Sequence, residues 1–362
     1  MTRAAAPHRV ILLVPGGLAL LAGLHAALML LQVPVPAVER LPEVHGIILV
    51  LGFVGTLIAL ERAIALDRPL GFAAPALLGA GVVLALAPVP PAAGGTAFLG
   101  GSAALVAVYH RLWLRQRDDA VLVQALGAVL AVGAAGLWLG GVEVPVLLPW
   151  LVGFVILTIA GERLELARLA MGSGAGGTLV ALAGGLMAAV AATLLWPATT
   201  PLLGLAVVAL TGWLAHHDVA RRTIRGTGLV RFMAAAMLGG YAWLVVAGLV
   251  WLLRGQVLTG AAYDAAVHAV FLGFTLSMIM AHAPVILPAV LRRPLPYHPL
   301  LWVPFALLHA SLVVRLWLGG ALLLPGAWRA GGVTNVLAVL LFVGVAAWRV
   351  LSARSRADRR TP

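Results

Sequence analysis

Long apolar runs, broken at short intervals by Gly, Pro or Arg, dominate this chain of 362 residues. Twelve can be traced, near 10–31, 43–66, 71–90, 96–114, 120–141, 145–169, 175–196, 200–218, 229–253, 262–290, 298–320 and 331–350. A helix rises ~1.5 Å per residue, so each run is long enough to cross ~30 Å of hydrocarbon. The tenth contains Pro284 and Pro288 and is expected to kink there. The stretches between runs are short turns such as "PVPPAAGG" and "WPATTP", too small to hide a soluble domain. The pattern predicts an all-α, polytopic membrane bundle of about 12 transmembrane helices, forming a single integral membrane domain over 1–362.

An internal repeat lies within the pattern. The second, sixth and tenth runs align without gaps as "GFVGTLIALER" from Gly52, "GFVILTIAGER" from Gly153 and "GFTLSMIMAHA" from Gly273. Each has a Gly-Phe pair, an Ile six residues after the Gly (Ile58, Ile159, Ile279) and a polar residue nine after it (Glu61, Glu162, His282). Small residues and Glu-Arg pairs recur in membrane helices for packing and at helix ends. Three copies spaced four helices apart point further, to three pseudo-equivalent four-helix units at approximately 8–114, 120–218 and 229–351.

Composition agrees with a lipid solvent: 62% of residues are hydrophobic and 10% charged. The net charge of +12 would suggest nucleic acid in a soluble chain, but here every basic residue is Arg and its placement answers differently. Twenty of the 24 Arg fall on the side that carries both termini, from Arg3 and Arg9 to Arg359 and Arg360. Arg40, Arg254 and Arg329 lie opposite, and Arg315 sits within a run. The positive-inside rule therefore puts the N- and C-termini in the cytoplasm, in a multi-pass protein of the cell inner membrane. The basicity records topology, and no nucleic-acid partner is expected. The chain has no Cys, which removes disulfides, thiolate metal sites and iron-sulfur clusters. Its first run lacks a small-residue cleavage site and reads as a retained helix.

Ten histidines separate by depth. His8, His110, the pair His216-His217 and His298 stand at the basic ends of helices, where an imidazole near headgroups needs no special role. His25, His45, His268, His282 and His309 lie within spans, where an ionisable residue is costly and points to function. His282 follows His268 by fourteen residues, about 21 Å along the axis and some 40° from the same helical face. It is a second candidate ligand, with Glu61 and Glu162 as its repeat-equivalent carboxylates. Equally, those carboxylates can serve Arg62, Arg163 or Arg168 at the basic face. Buried Arg315 requires an anion or a water path, and a plain pair with Asp264 is one answer. His25, in the outer half, reads as a third ligand, a donor to a ligand or a packed core histidine, and His25, Glu61 and Glu162 are the candidate metal ligands. Trp138, Trp150, Trp196, Trp251 and Tyr297 read as interfacial anchors.

The three-unit plan, with histidines on the second and tenth helices, resembles the haem-copper oxidase catalytic subunit. It also resembles the NnrS family, the strongest local likeness being "VHAVFLGFTLSMIMAHA" with His268, Gly273, Met278 and Met280. The resemblance implies haem, accompanied in those families by copper, and a role with nitric oxide, oxygen or electrons. Gaseous NO or O2 and an electron-donor protein would then join the lipid bilayer as partners. An enzyme of this plan would be a membrane haem oxidoreductase. The resemblance further implies that His45 and His268 act as axial haem ligands, with His282 and His309 as further cofactor candidates and Arg315 on the haem propionates. On an ideal helix, His45 and His268 are turned about 200° apart relative to the repeat Gly. The sixth run lacks the His and Tyr of an oxidase copper site, and the His216-His217 pair stands on the wrong side to replace it. A different class remains open, a proton- or ion-coupled secondary transporter working through the intramembrane Glu and His residues.

Overall fold

The computed structural model describes residues 7–291 and 293–358. Arg3, Arg292, Arg359 and Arg360 lie outside the described residues, as do the side chains of His8, Arg354 and Arg356. Most of the described residues are helical and none is in a strand, and they hold twelve helices long and apolar enough to span a membrane. The chain is a multi-pass membrane protein. The spans are α1 (Arg9–Leu30), α2 (Leu41–Leu66), α3 (Pro69–Leu86), α4 (Pro91–Gln116), α5 (Asp119–Leu139) and α6 (Val144–Arg168). They continue with α7 (Ala175–Leu195), α8 (Pro197–His217), α9 (Gly228–Arg254), α10 (Gly260–Pro288), α11 (Pro299–Ala321) and α12 (Pro325–Ser352).

Proline and left-handed residues set the boundaries. Pro91, Pro299 and Pro325 open their helices, where the missing N–H is not needed. Asp67 and Arg117 stop α2 and α4 with φ of 53° and 49°, a cap conformation that glycine usually takes. Three spans leave α geometry for about two turns of π-helix: Ile48–Val54 in α2, Ala269–Leu276 in α10 and Val314–Ala321 in α11. Such turns are rare and are frequent at functional sites.

Two compact units divide the chain. One contains His8–Asp218 with Gly248–Thr259, and the other Val219–Ala247 with Gly260–Pro362. In the larger unit α6 is the most enclosed helix, with residues 151–161 all buried. It lies close against α5: a Cβ on Gly127 would stand 3.0 Å from the Phe154 carbonyl, and one on Gly161 about 2.6 Å from the Ala120 carbonyl. Small residues let the backbones approach, and dispersion between them supplies the attraction that lipid cannot.

The repeat glycines occupy like positions. Gly52 faces Ala19 of α1 and Val82 of α3, Gly153 faces Leu130 of α5, and Gly273 faces the Trp243 side chain of α9. In each case the glycine thus lies against the helix that precedes its own in the chain.

Candidate functional site

The smaller unit gathers polar groups around Asp264, in the first turns of α10. Arg315 of α11 donates Nε to Oδ2 at 3.0 Å and Nη2 to Oδ1 at 2.6 Å, the fork geometry in which guanidinium and carboxylate pair best. Trp328 of α12 donates Nε1 to Oδ2 at 3.1 Å. His268, one turn along α10, offers Nδ1 to Oδ1 at 3.0 Å and to the Asp264 carbonyl at 2.9 Å. The Arg315 guanidinium also lies 5.6 Å from the centre of the Trp328 ring. A buried Arg in hydrocarbon is thereby neutralised inside its own unit. The plain Arg315-Asp264 pair, one of the two readings of the sequence, is the arrangement found.

His309, on α11, sits in a second chain. The Trp243 indole, which can only donate, gives Nε1–H to His309 Nδ1 at 2.9 Å. Nδ1 therefore carries no proton, and the network assigns the neutral tautomer with the proton on Nε2. That N–H points at Ser277 Oγ at 3.1 Å, and Ser277 donates onward to the Gly273 carbonyl at 2.6 Å, within the π segment. Both imidazole nitrogens are engaged, so His309 is placed as a brace between α9, α10 and α11, not as an axial ligand. Its position explains Gly273: a side chain there would collide with Trp243, which His309 holds in place.

His282 is buried on α10 and offers Nδ1 to the Met278 carbonyl at 2.7 Å. His45, in the larger unit, offers Nδ1 to the Gly23 carbonyl of α1 at 2.9 Å. His268, His282 and His45 thus share one habit, with Nδ1 turned to a backbone carbonyl. In both copies most of the interval between histidine and repeat glycine is π-helical, so the two are unwound alike and the offset of about 200° between them is not removed. His25 uses Nε2 on the Pro36 carbonyl at 2.8 Å and fastens the loop that follows α1.

The carboxylates of the repeat lie in the larger unit. Arg62 bridges Glu61 (2.9 Å) and Glu165 (3.0 Å), and Gln124 of α5 donates Nε2 to Glu165 at 3.1 Å. Arg163 reaches Asp218, just past α8, with two hydrogen bonds of 2.8 and 3.1 Å, both partners being buried. Arg168 pairs with Asp118, which also caps the start of α5. Glu162 forms no hydrogen bond or ion pair among the described residues. Nor do His25, Glu61 and Glu162 come together: no group of three or more His, Asp or Glu side chains placed to hold a metal is found among the described residues.

Sequence reasoning missed Trp328, Trp243, Ser277, Glu165, Gln124, Tyr109 and Asp218. Only Ser277, four residues after the repeat glycine, and Glu165, one turn after Glu162, carried a local signal. Trp251, read as an interfacial anchor, is 2% exposed and lines one cavity with Pro145, Pro149 and Gln256. Trp196, by contrast, is 63% exposed.

The model of a family described as a domain of unknown function, DUF8744, matches residues 9–351, and the chain belongs to that family. No curated protein and no solved structure was found to match it.

Proposed function

We propose that this family member is a haem-binding protein of the cell inner membrane, with His268 as an axial ligand, and that it handles electrons or a small gas such as NO or O2. The observation that carries the reading is the Asp264–His268 couple. A carboxylate that accepts the Nδ1 proton fixes the tautomer, leaves Nε2 as the basic nitrogen and strengthens it as a ligand. Arg315 and Trp328 hold that carboxylate in place. A bound haem would supply a redox-active iron, with a position for a diatomic gas where only one side is ligated.

The residues fit unequally. His268 fits best, and His45 and His282 share its Nδ1-to-carbonyl arrangement. His309 does not fit, since both of its nitrogens are engaged, and the paired edge of Arg315 is taken by Asp264. With no group of three ligands among the described residues, the proposal does not extend to copper. It includes three four-helix units and cytoplasmic termini, supported by the like placement of the repeat glycines and by the Arg distribution.

The test is the dithionite-reduced minus oxidised visible spectrum of the protein purified in mild detergent, with and without nitric oxide. Haem bands are expected, lost in His268→Ala and shifted in Asp264→Asn. A colourless preparation after haem is supplied during expression, or bands indifferent to His268→Ala, would refute the reading and leave the coupled transporter in first place.

A further inference from the structure

The haem reading leaves unused the polar cluster at the Arg-rich ends of α2 and α6. Its donors and acceptors do not balance. Among the described residues Glu61, Glu162 and Glu165 bring three carboxylates and Gln124 an amide oxygen. The Arg62 guanidinium pairs with Glu61 and Glu165, while Arg163 reaches Glu162 only electrostatically. Arg163, the nearest other cation on α6, is committed to Asp218. The Gln124 amide is oriented without ambiguity, because a carboxylate only accepts and so must face Nε2. Gln124 Oε1 is then left buried with no hydrogen-bond partner among the described residues. The Tyr109 hydroxyl of α4 is in the same condition. Both residues are 0% exposed, and Tyr109 lies within electrostatic reach of Glu61, Arg62, Glu162 and Glu165. Buried polar atoms are seldom left orphaned, and two around one acidic cluster mark a place that something else completes.

The set is all oxygen, it carries excess negative charge, and it comes from α2, α4, α5 and α6. Hard cations take such ligands. A divalent ion would call for more carboxylates than the cluster converges. A monovalent one is satisfied by a single carboxylate with neutral oxygens. We infer that this cluster binds one alkali-metal cation of sodium's class, held by the Glu162 carboxylate, Gln124 Oε1 and the Tyr109 hydroxyl oxygen. Glu61 and Glu165 form its outer rim. Their side chains are 27% and 36% exposed, which gives the ion an entrance past Arg62. The inference does not depend on haem.

The test is thermal unfolding of the full chain in detergent, with sodium chloride titrated against choline chloride at constant ionic strength and pH. A ligand that binds only the folded state raises Tm with concentration, so a saturable rise of several degrees is expected with sodium and none with choline. Tyr109→Phe, which keeps the ring, and Glu162→Gln should each lose most of that rise. If Glu162→Gln does not fold, Tyr109→Phe and the wild-type titration still decide. A Tm identical in sodium and choline, a response only to acidity, or a sodium response intact in Tyr109→Phe would each overturn the inference.

Discussion

Removing Asp264 should be among the most damaging single changes in the smaller unit, and the geometry says why. The Arg315 side chain is 8% exposed, and its two hydrogen bonds to Asp264 are its only ones among the described residues. Asp264→Leu strands that cation in a low-dielectric surrounding, a change that costs about 3–5 kcal/mol when one partner of a buried pair is lost. It also takes the acceptor from Trp328 Nε1 and from His268 Nδ1, about 1 kcal/mol each. Arg315→Met should cost less, about 3 kcal/mol, because Asp264 keeps the Trp328 and His268 donors. The double variant removes both charges together and should cost only about 1–3 kcal/mol, mainly for the two donors left behind. The cycle therefore predicts a coupling of at least ~3 kcal/mol. SDS titration of the protein in bicelles, followed by helical circular dichroism and by Trp fluorescence, measures all four species. Single variants that cost less than about 1 kcal/mol, or a double variant equal to their sum, would refute the view of Asp264 as the charge that keeps Arg315 in the membrane.

Three further outcomes follow from the same geometry. Gly273→Ala should destabilise by about 1–3 kcal/mol through overpacking against Trp243, and the near-ultraviolet dichroism should change with the indole's position. Arg163→Met should cost about 3–5 kcal/mol, because the Asp218 side chain is fully buried and loses its guanidinium partner; Arg163→Lys should recover part of it, read in the same SDS titration. A reporter inserted at the Arg117 turn should behave as cytoplasmic and one at the Gly141 turn as external, and the opposite pattern in intact cells would invert the topology.

The helices were legible because hydrocarbon imposes a length and a composition on every span, and prolines such as Pro91 and Pro299 mark their starts. The Asp264 hub was half legible. Asp264 and His268 are four apart on one helix, a spacing that predicts contact, and the pairing with Arg315 could be named from depth. Trp328 could not, since it reaches Asp264 from 64 residues away and a Trp in an apolar run reads as ordinary lipid-facing or core residue. Arg62 shows the same limit from the other side. Its neighbour Glu61 was visible, but its second carboxylate is Glu165 of α6, chosen by the packing of two helices about a hundred positions apart in sequence. The π turns left no readable mark either: Gly52 and Gly273 stand in π segments, while Gly153, in the same motif, stands in regular α-helix.

That last difference bears on how the three copies have been put to use. Each of α2, α6 and α10 keeps the close approach at its glycine, against Ala19, Leu130 or Trp243, so the motif answers first to packing. A π turn inserts an extra residue and so changes which side chains after it face the core. In α6, with no such turn, the polar position and its neighbour stay in a buried helix, and Arg163 is spent on Asp218. In α10 Ser277 donates to the Gly273 carbonyl within the π segment and joins Trp243 and His309 in one chain. His268 lies at the N-terminal edge of the α10 π segment, and His45 three residues before that of α2. His268 and His45 therefore stand next to π turns, and the copy without a π turn, α6, has no histidine in its span. Deleting the extra residue of the α10 turn should leave the helix intact and rotate His268 relative to Ser277. On the proposed haem reading, loss of the haem spectrum with helicity unchanged would tie the ligand's aim to the π turn, and an unaltered spectrum would separate the two.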